Sequence, residues 1–291
     1  MTNKFKGTGA AIVTPFNNDG SVDFKSFEKI IEHIIAGKCE YMVVSGTTGE
    51  SPVISKEEKD EITKFAIEKI NSRVPIVLGI GGNNTKEVAN SINRTDYKID
   101  AVLSVCPYYN KPQQQGIFEH YKTIANDSPY PIMIYNVPGR SGVNIKSETT
   151  LKIANEIEKI IAVKEASGDL YQMAQVIKNK PKDFLVISGD DSMTLPLMSI
   201  GGDGVISVIA NAYPKSYSDM VRFCLEENFS EARKIHLKLS DMMNALFADG
   251  SPAGVKAALS IKGLCQNNLR LPNVKVNEQT FELIKKLDKE I

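Results

Sequence analysis

The stretch IIAVKEASGD (160–169) sets a lysine, Lys164, inside an apolar run bounded by Gly and Asp. A continuous apolar run of this length, closed by turn formers, reads as a strand buried on both faces, as in a parallel sheet. Similar runs lie on either side of it. Upstream are AAIVTPF (10–16), EYMVVSG (40–46), VPIVLGIGG (74–82), AVLSVCP (101–107) and PIMIYNVP (131–138). Downstream are FLVISGDD (184–191) and GVISVIAN (204–211). Lys/Glu-rich segments of helical period separate most of them, such as DFKSFEKIIEHIIAGK and SKEEKDEITKFAIEKINSR, the second opened by a Ser55/Glu58 capping box. Eight alternations of strand and helix predict an α/β fold of the (β/α)8 TIM-barrel type. A doubly wound open sheet is the alternative, but the turn after the first strand, TPFNNDGS, lacks the Gly-rich spacing that such folds carry there.

Beyond the eighth strand the pattern becomes purely helical. KSYSDMVRFCLEEN reads as the last barrel helix, and three more helical stretches follow it. The expected organisation is a barrel over residues 1–224 and a C-terminal three-helix appendage over 225–291.

Composition narrows the classes of function. The 291 residues carry 35 basic and 35 acidic side chains, a balance that argues against nucleic-acid or polybasic membrane binding. No run approaches the ~20 apolar residues of a membrane helix, and the first residues lack signal-peptide architecture. Cys39, Cys106, Cys224 and Cys265 form no C-x-x-C pair, which fits reduced thiols in a cytoplasmic protein. His33, His120 and His236 show no metal-ligand spacing, so no metal is expected.

In a barrel of this type the chemistry lies at the C-terminal strand ends. Those ends carry Thr47 and Thr48, Tyr108 and Tyr109, Tyr135 with Asn136 and Arg140, Lys164 with Glu165, and Gly189 with Asp190 and Asp191. A lysine withdrawn from water loses its proton more easily and becomes an amine nucleophile toward a ketone. Phenols can move protons, while hydroxyls and backbone amides can hold a carboxylate. Each feature also has a plain structural reading. Lys-Glu is a common strand end, GTTGE can be a capping turn, and Gly201-Gly202-Asp203-Gly204 reads better as a tight turn than as a phosphate loop.

Four motifs taken together, GTTGES (46–51), PYYNKP (107–112), YNVPGR (135–140) and VKEASGD (163–169), resemble the dihydrodipicolinate synthase family of pyruvate-dependent class I aldolase-type lyases. The resemblance runs from AIVTPF to the C-terminal helices. It implies a lyase of the diaminopimelate–lysine pathway that condenses pyruvate with L-aspartate-4-semialdehyde, without a metal or organic cofactor. It also implies a homotetramer of tight dimers. Carried over motif by motif, Lys164 forms the imine with pyruvate and Tyr135 is the central proton donor and acceptor. Thr47 links to Tyr109 in a relay, with Tyr109 coming from the neighbouring subunit. Thr48 and the backbone of Ile206 hold the pyruvate carboxylate, the carbonyl of Gly189 lines the site, and Arg140 receives the semialdehyde carboxylate. Sugar-acid aldolases such as sialic acid lyase share the lysine and the barrel, and a non-catalytic metabolite-sensing barrel is a further alternative. Thr47, where a serine would suit the aldolases, and the spacing of Arg140 favour the synthase. An effector site for lysine is implied at Ser51, Pro52, Lys56, Asn83, Glu87 and Tyr108. Pro52, Lys56 and Lys59 stand where inhibited members carry a small residue and two histidines, so weak or absent feedback by lysine is expected.

Overall fold

A computed structural model describes residues 2–291. Its strands are β1 (Gly7–Ala11), β2 (Tyr41–Val44), β3 (Ile76–Gly79), β4 (Ala101–Val105), β5 (Ile132–Asn136), β6 (Ile160–Glu165), β7 (Leu185–Ser188) and β8 (Gly204–Ser207). They pair in sequence order and close into one parallel barrel, β8 returning to β1. The helices are α1 (Phe24–Ala36), α2 (Lys56–Ile70), α3 (Thr85–Asn93), α4 (Gln114–Asn126), α5 (Pro138–Ser141), α6 (Ser147–Glu156), α7 (Leu170–Asn179), α8 (Thr194–Ser199) and α9 (Pro214–Leu225). The single turn α5 interrupts the β5–α6 connection, and the other eight make the outer ring. The (β/α)8 barrel expected from the sequence is therefore present. Three further helices follow: α10 (Phe229–Ala245), α11 (Ala253–Ile261) and α12 (Glu278–Asp288).

Side-chain alternation divides the strands cleanly. Tyr41, Val43, Met133, Tyr135, Ala162, Leu185, Ile187 and Ile206 point into the barrel and pack together. Their neighbours Met42, Val44, Ile132, Ile134, Val163 and Val186 pack outward against helices. Because successive residues of a strand face opposite ways, placing Ala162 inside also turns Lys164 inside and Glu165 outward. The helix-facing core around α1 continues without a break into α10, α11 and α12 through Leu239, Met242, Val255, Leu259 and Ile284. No described helix is long and apolar enough to cross a membrane.

Local signals act where expected in α2. The Ser55 hydroxyl accepts from the Glu58 amide and the Glu58 carboxylate accepts from the Ser55 amide, closing the capping box. The Gly201–Gly204 segment is a turn at the N-terminal end of β8, away from the strand ends that carry chemistry. There Asp203 accepts from the Val186 amide at 3.0 Å and pairs with Lys6 at 3.1 Å.

One strand differs from its expected position. β1 occupies Gly7–Ala11 instead of residues 10–16. The glycines are required there, since a Cβ on Gly9 would sit 2.2 Å from the Tyr41 ring that fills this end of the barrel. Past Ala11 the ladder gives way, because the Val13 amide donates to Asn211 Oδ1 at 3.1 Å and Pro15 has no N–H to offer. The other seven strands lie within their expected runs and end two to four residues sooner.

Candidate active site

The C-terminal strand ends open on a cavity of about 440 Å³. Its wall includes Thr47 and Thr48 after β2, Gly79 and Gly81 at β3, Tyr108 after β4, Tyr135, Arg140 and Ser141 from β5 and its loop, and Lys164 from β6. Lys164 is only 6% exposed, and Tyr135 lies directly across the ladder from it. Its Nζ sits 4.1 Å from the centre of the Tyr135 ring. Among the described residues no carboxylate lies within ion-pair distance of this amine. Burial pulls the ammonium pKa down to about 7; the Asp191 charge opposes this and the Arg140 charge reinforces it. At neutral pH a large share of Lys164 is thus the free amine that carbonyl addition requires.

Tyr135 is held as a protonated phenol, its pKa pushed up to about 12 by burial, with Arg140 partly offsetting that and Asp190 adding to it. It is therefore a donor first and becomes a base only after giving its proton away. Gly189 backs against the lysine stem: a Cβ there would lie 3.1 Å from Lys164 Cε and 2.8 Å from Ala166 Cβ. Ile206 is buried in the barrel interior, paired across the ladder with Gly9. Neither Gly189 nor Ile206 lines the cavity itself.

The relay expected among Thr47, Tyr135 and Tyr109 is not closed within one chain. No hydrogen bond joins these three side chains among the described residues. Tyr109 adopts a left-handed backbone (φ 78°) and is 87% exposed, so its ring leaves the cavity altogether. Its neighbour Tyr108 lines the cavity instead. Of the residues expected around an effector, Ser51, Pro52 and Lys59 also line this cavity. Asn83 donates to the Tyr108 carbonyl at 3.4 Å, while Glu87 lies in the first turn of α3 and Lys56 opens α2 on the surface.

Three groups have structural roles that the sequence did not assign, although Glu165 and Asp191 stood among the strand-end residues. Glu165, on the outward face of β6, is buried and accepts from Asn136 Nδ2 (3.0 Å), the Ser167 amide (2.8 Å) and Gln172 Nε2 (3.1 Å). Asn136 in turn accepts from the Ile145 amide at 2.9 Å. This network ties the end of β5 to the end of β6 and so fixes Tyr135 against Lys164. Asp191 is buried and accepts from the amides of Ile209 (2.8 Å) and Val208 (3.1 Å), bracing the loop after β8. The third is Lys256, which pairs with Glu50 of the GTTGE turn in full burial. Glu165, as a carboxylate in an apolar strand, and Asp191, at the end of the seventh strand, carried a signal of position but not of role, and Lys256 carried none. The partners of Asp191 and Lys256 lie far away in sequence.

Residues 4–290 match the model of the Dihydrodipicolinate synthetase family. The chain is 49% identical over 283 residues to the 4-hydroxy-tetrahydrodipicolinate synthase of Parabacteroides distasonis, a match that covers 97% of this chain and 95% of that one. It is 47% identical over 289 residues to the corresponding synthase of Phocaeicola vulgatus, covering 99% and 97%. Among solved structures, the dihydrodipicolinate synthase of Thermotoga maritima superposes with a TM-score of 0.96 at 38% identity, covering 98% of each chain. With the barrel, the strand-end motifs and these relatives in agreement, the chain belongs to the dihydrodipicolinate synthase family.

Proposed function

We propose that this protein is a 4-hydroxy-tetrahydrodipicolinate synthase, a lyase that joins pyruvate to L-aspartate-4-semialdehyde. The observation that carries the reading is Lys164, a buried amine without a carboxylate partner at the wall of a cavity, facing Tyr135. Its neutral form adds to the pyruvate ketone and water leaves, giving an imine. Loss of a methyl proton then yields an enamine, whose carbon adds to the aldehyde. The amino group of the semialdehyde can next displace the lysine, closing the ring and freeing the enzyme. Every one of these steps needs a proton moved, and Tyr135 is the phenol placed next to the amine.

Thr48 is assigned to the pyruvate carboxylate together with the turn amides and the backbone of Ile206, while Gly189 is assigned to line the site by its carbonyl. Arg140 is assigned to the semialdehyde carboxylate, which a guanidinium fork can take with two parallel hydrogen bonds. Thr47 and Tyr109 are assigned to the proton relay. With the Tyr109 ring turned out into solvent, the relay is proposed to close only when a second subunit inserts its own Tyr109, within a homotetramer built from tight dimers.

Regulation is part of the same reading. Lys59 lines the cavity half-buried, its pKa lowered by desolvation, and Lys56 stands nearby on α2. Two added ammonium groups disfavour a cationic amino acid, so feedback by L-lysine should be weak or absent.

Pyruvate with borohydride should leave a stable mass increase on the peptide carrying Lys164. Lys164→Arg should show none and lose turnover by on the order of 10³-fold or more. An adduct on another lysine, or an active Lys164→Arg enzyme, contradicts the assignment. N-acetylneuraminate in place of the semialdehyde reaction separates this enzyme from a sugar-acid aldolase, and no cleavage of it should be seen.

Tyr109→Phe should lower kcat by roughly 10²-fold with little effect on folding. A folded monomeric interface variant of full activity would show that no second subunit is needed.

Initial rates at about millimolar L-lysine should stay within about twofold of the control, the like charges at the site opposing its binding. Half-inhibition in the micromolar range would refute weak feedback.

A further inference from the structure

Two lysines are buried in the active-site half of this chain, and they are treated in opposite ways. Lys164 has no anionic partner among the described residues. Lys256, on α11, is fully enclosed and has one: its Nζ lies 2.5 Å from Glu50 Oε1, with both side chains at 0% exposure. The same ammonium donates to the Asn268 carbonyl at 2.9 Å and rests 4.1 Å above the Phe16 ring. The other oxygen of Glu50 accepts from the Arg270 amide at 3.2 Å and from Asn273 Nδ2 at 3.4 Å. One carboxylate of the barrel is therefore gripped entirely by the chain beyond α10.

Glu50 is the last residue of a turn with unusual geometry. It occupies the left-handed region at φ 56°, as does Ser45 at φ 58° where the turn begins. Non-glycine residues stay in that region only where the surroundings over-determine them. At Ser45 the constraint is close packing, since a Cβ on Gly79 would lie 2.4 Å from the Ser45 carbonyl oxygen. At Glu50 it is the buried ion pair. Between these two fixed points lie Thr47 and Thr48, whose amides donate to no acceptor among the described residues while both residues line the cavity. A pair of unused N–H groups in a fixed turn is suited to a carboxylate.

We propose that Lys256 and Glu50 are positioning residues that clasp the C-terminal helices to the active-site turn and so hold Thr47 and Thr48 in register for the pyruvate carboxylate. The inference rests on the reading of that turn given under Proposed function. Stability alone is a poor reason for such a pair. Buried ion pairs exchange for apolar groups of similar volume with little change, whereas removing one partner strands the other charge. The C-terminal helices thereby gain a part in substrate binding although none of them reaches the cavity wall.

The test is the double variant Glu50→Gln/Lys256→Met, which removes both charges together and nearly preserves volume, whereas Lys256→Met alone would strand the buried Glu50 charge. Hydrogen exchange of the Gly49, Glu50 and Ser51 amides, which donate to the Gly46 and Thr47 carbonyls within the turn, should speed up at least tenfold. KM for pyruvate should rise about tenfold or more, while KM for the semialdehyde, which is assigned to Arg140 on another loop, stays within about twofold. The pH midpoint of pyruvate trapping at Lys164 should not move. Exchange at the turn that matches the parent overturns the clasp, as does an unchanged KM for pyruvate. Equal rises in both KM values with a lowered unfolding midpoint also overturn it, because they mark general loosening. If pyruvate and borohydride fail to label the parent protein, the functional reading falls, and the exchange measurement still decides whether the pair holds the turn.

Discussion

The exclusion of water from the Lys164 amine is the constraint on which the rest of the site depends. An ammonium group withdrawn from water without a counter-ion is destabilised by several kcal/mol, and here the relief comes from losing the proton. Lys256 makes the contrast plain, because its equal burial is relieved by the Glu50 carboxylate instead. The same side chain thus serves two ends in one protein. An unpaired amine beside a cavity is free to react, whereas a paired one in a closed core can only hold its neighbours.

Keeping Lys164 unpaired requires control of the carboxylates around it. The nearest in sequence, Glu165, is turned to the opposite face of β6 by strand geometry and saturated by Asn136, Ser167 and Gln172. Asp191 is engaged by the amides of Val208 and Ile209. Each acid therefore braces a loop and stays out of ion-pair range of the amine. The barrel register does the remainder, setting Tyr135 directly opposite Lys164 on the neighbouring strand. Chemistry and architecture are coupled here by the alternation of side chains along two strands.

Much of this was legible in the sequence because its causes are local. A lysine in an apolar run, a capping box at Ser55 and eight recurring strand patterns all act over a few residues. β1 was misplaced because Gly7, Thr8 and Gly9 have no apolar pattern; their place is dictated by the Tyr41 ring on the next strand. The Lys256–Glu50 pair joins residues 206 positions apart, and no periodicity reports such a contact. The exposure of Tyr109 likewise follows from the left-handed backbone of its loop, which one residue type does not announce.

The most direct measurement is the ionisation of Lys164 itself, followed by heteronuclear NMR of its labelled side chain and assigned by comparison with Lys164→Arg. A midpoint of about 7 is expected, with the free amine dominant above it and the ammonium below. A midpoint near the ordinary lysine value of about 10.4 would mean that the amine stays charged at neutral pH and that its burial does not prepare it to react.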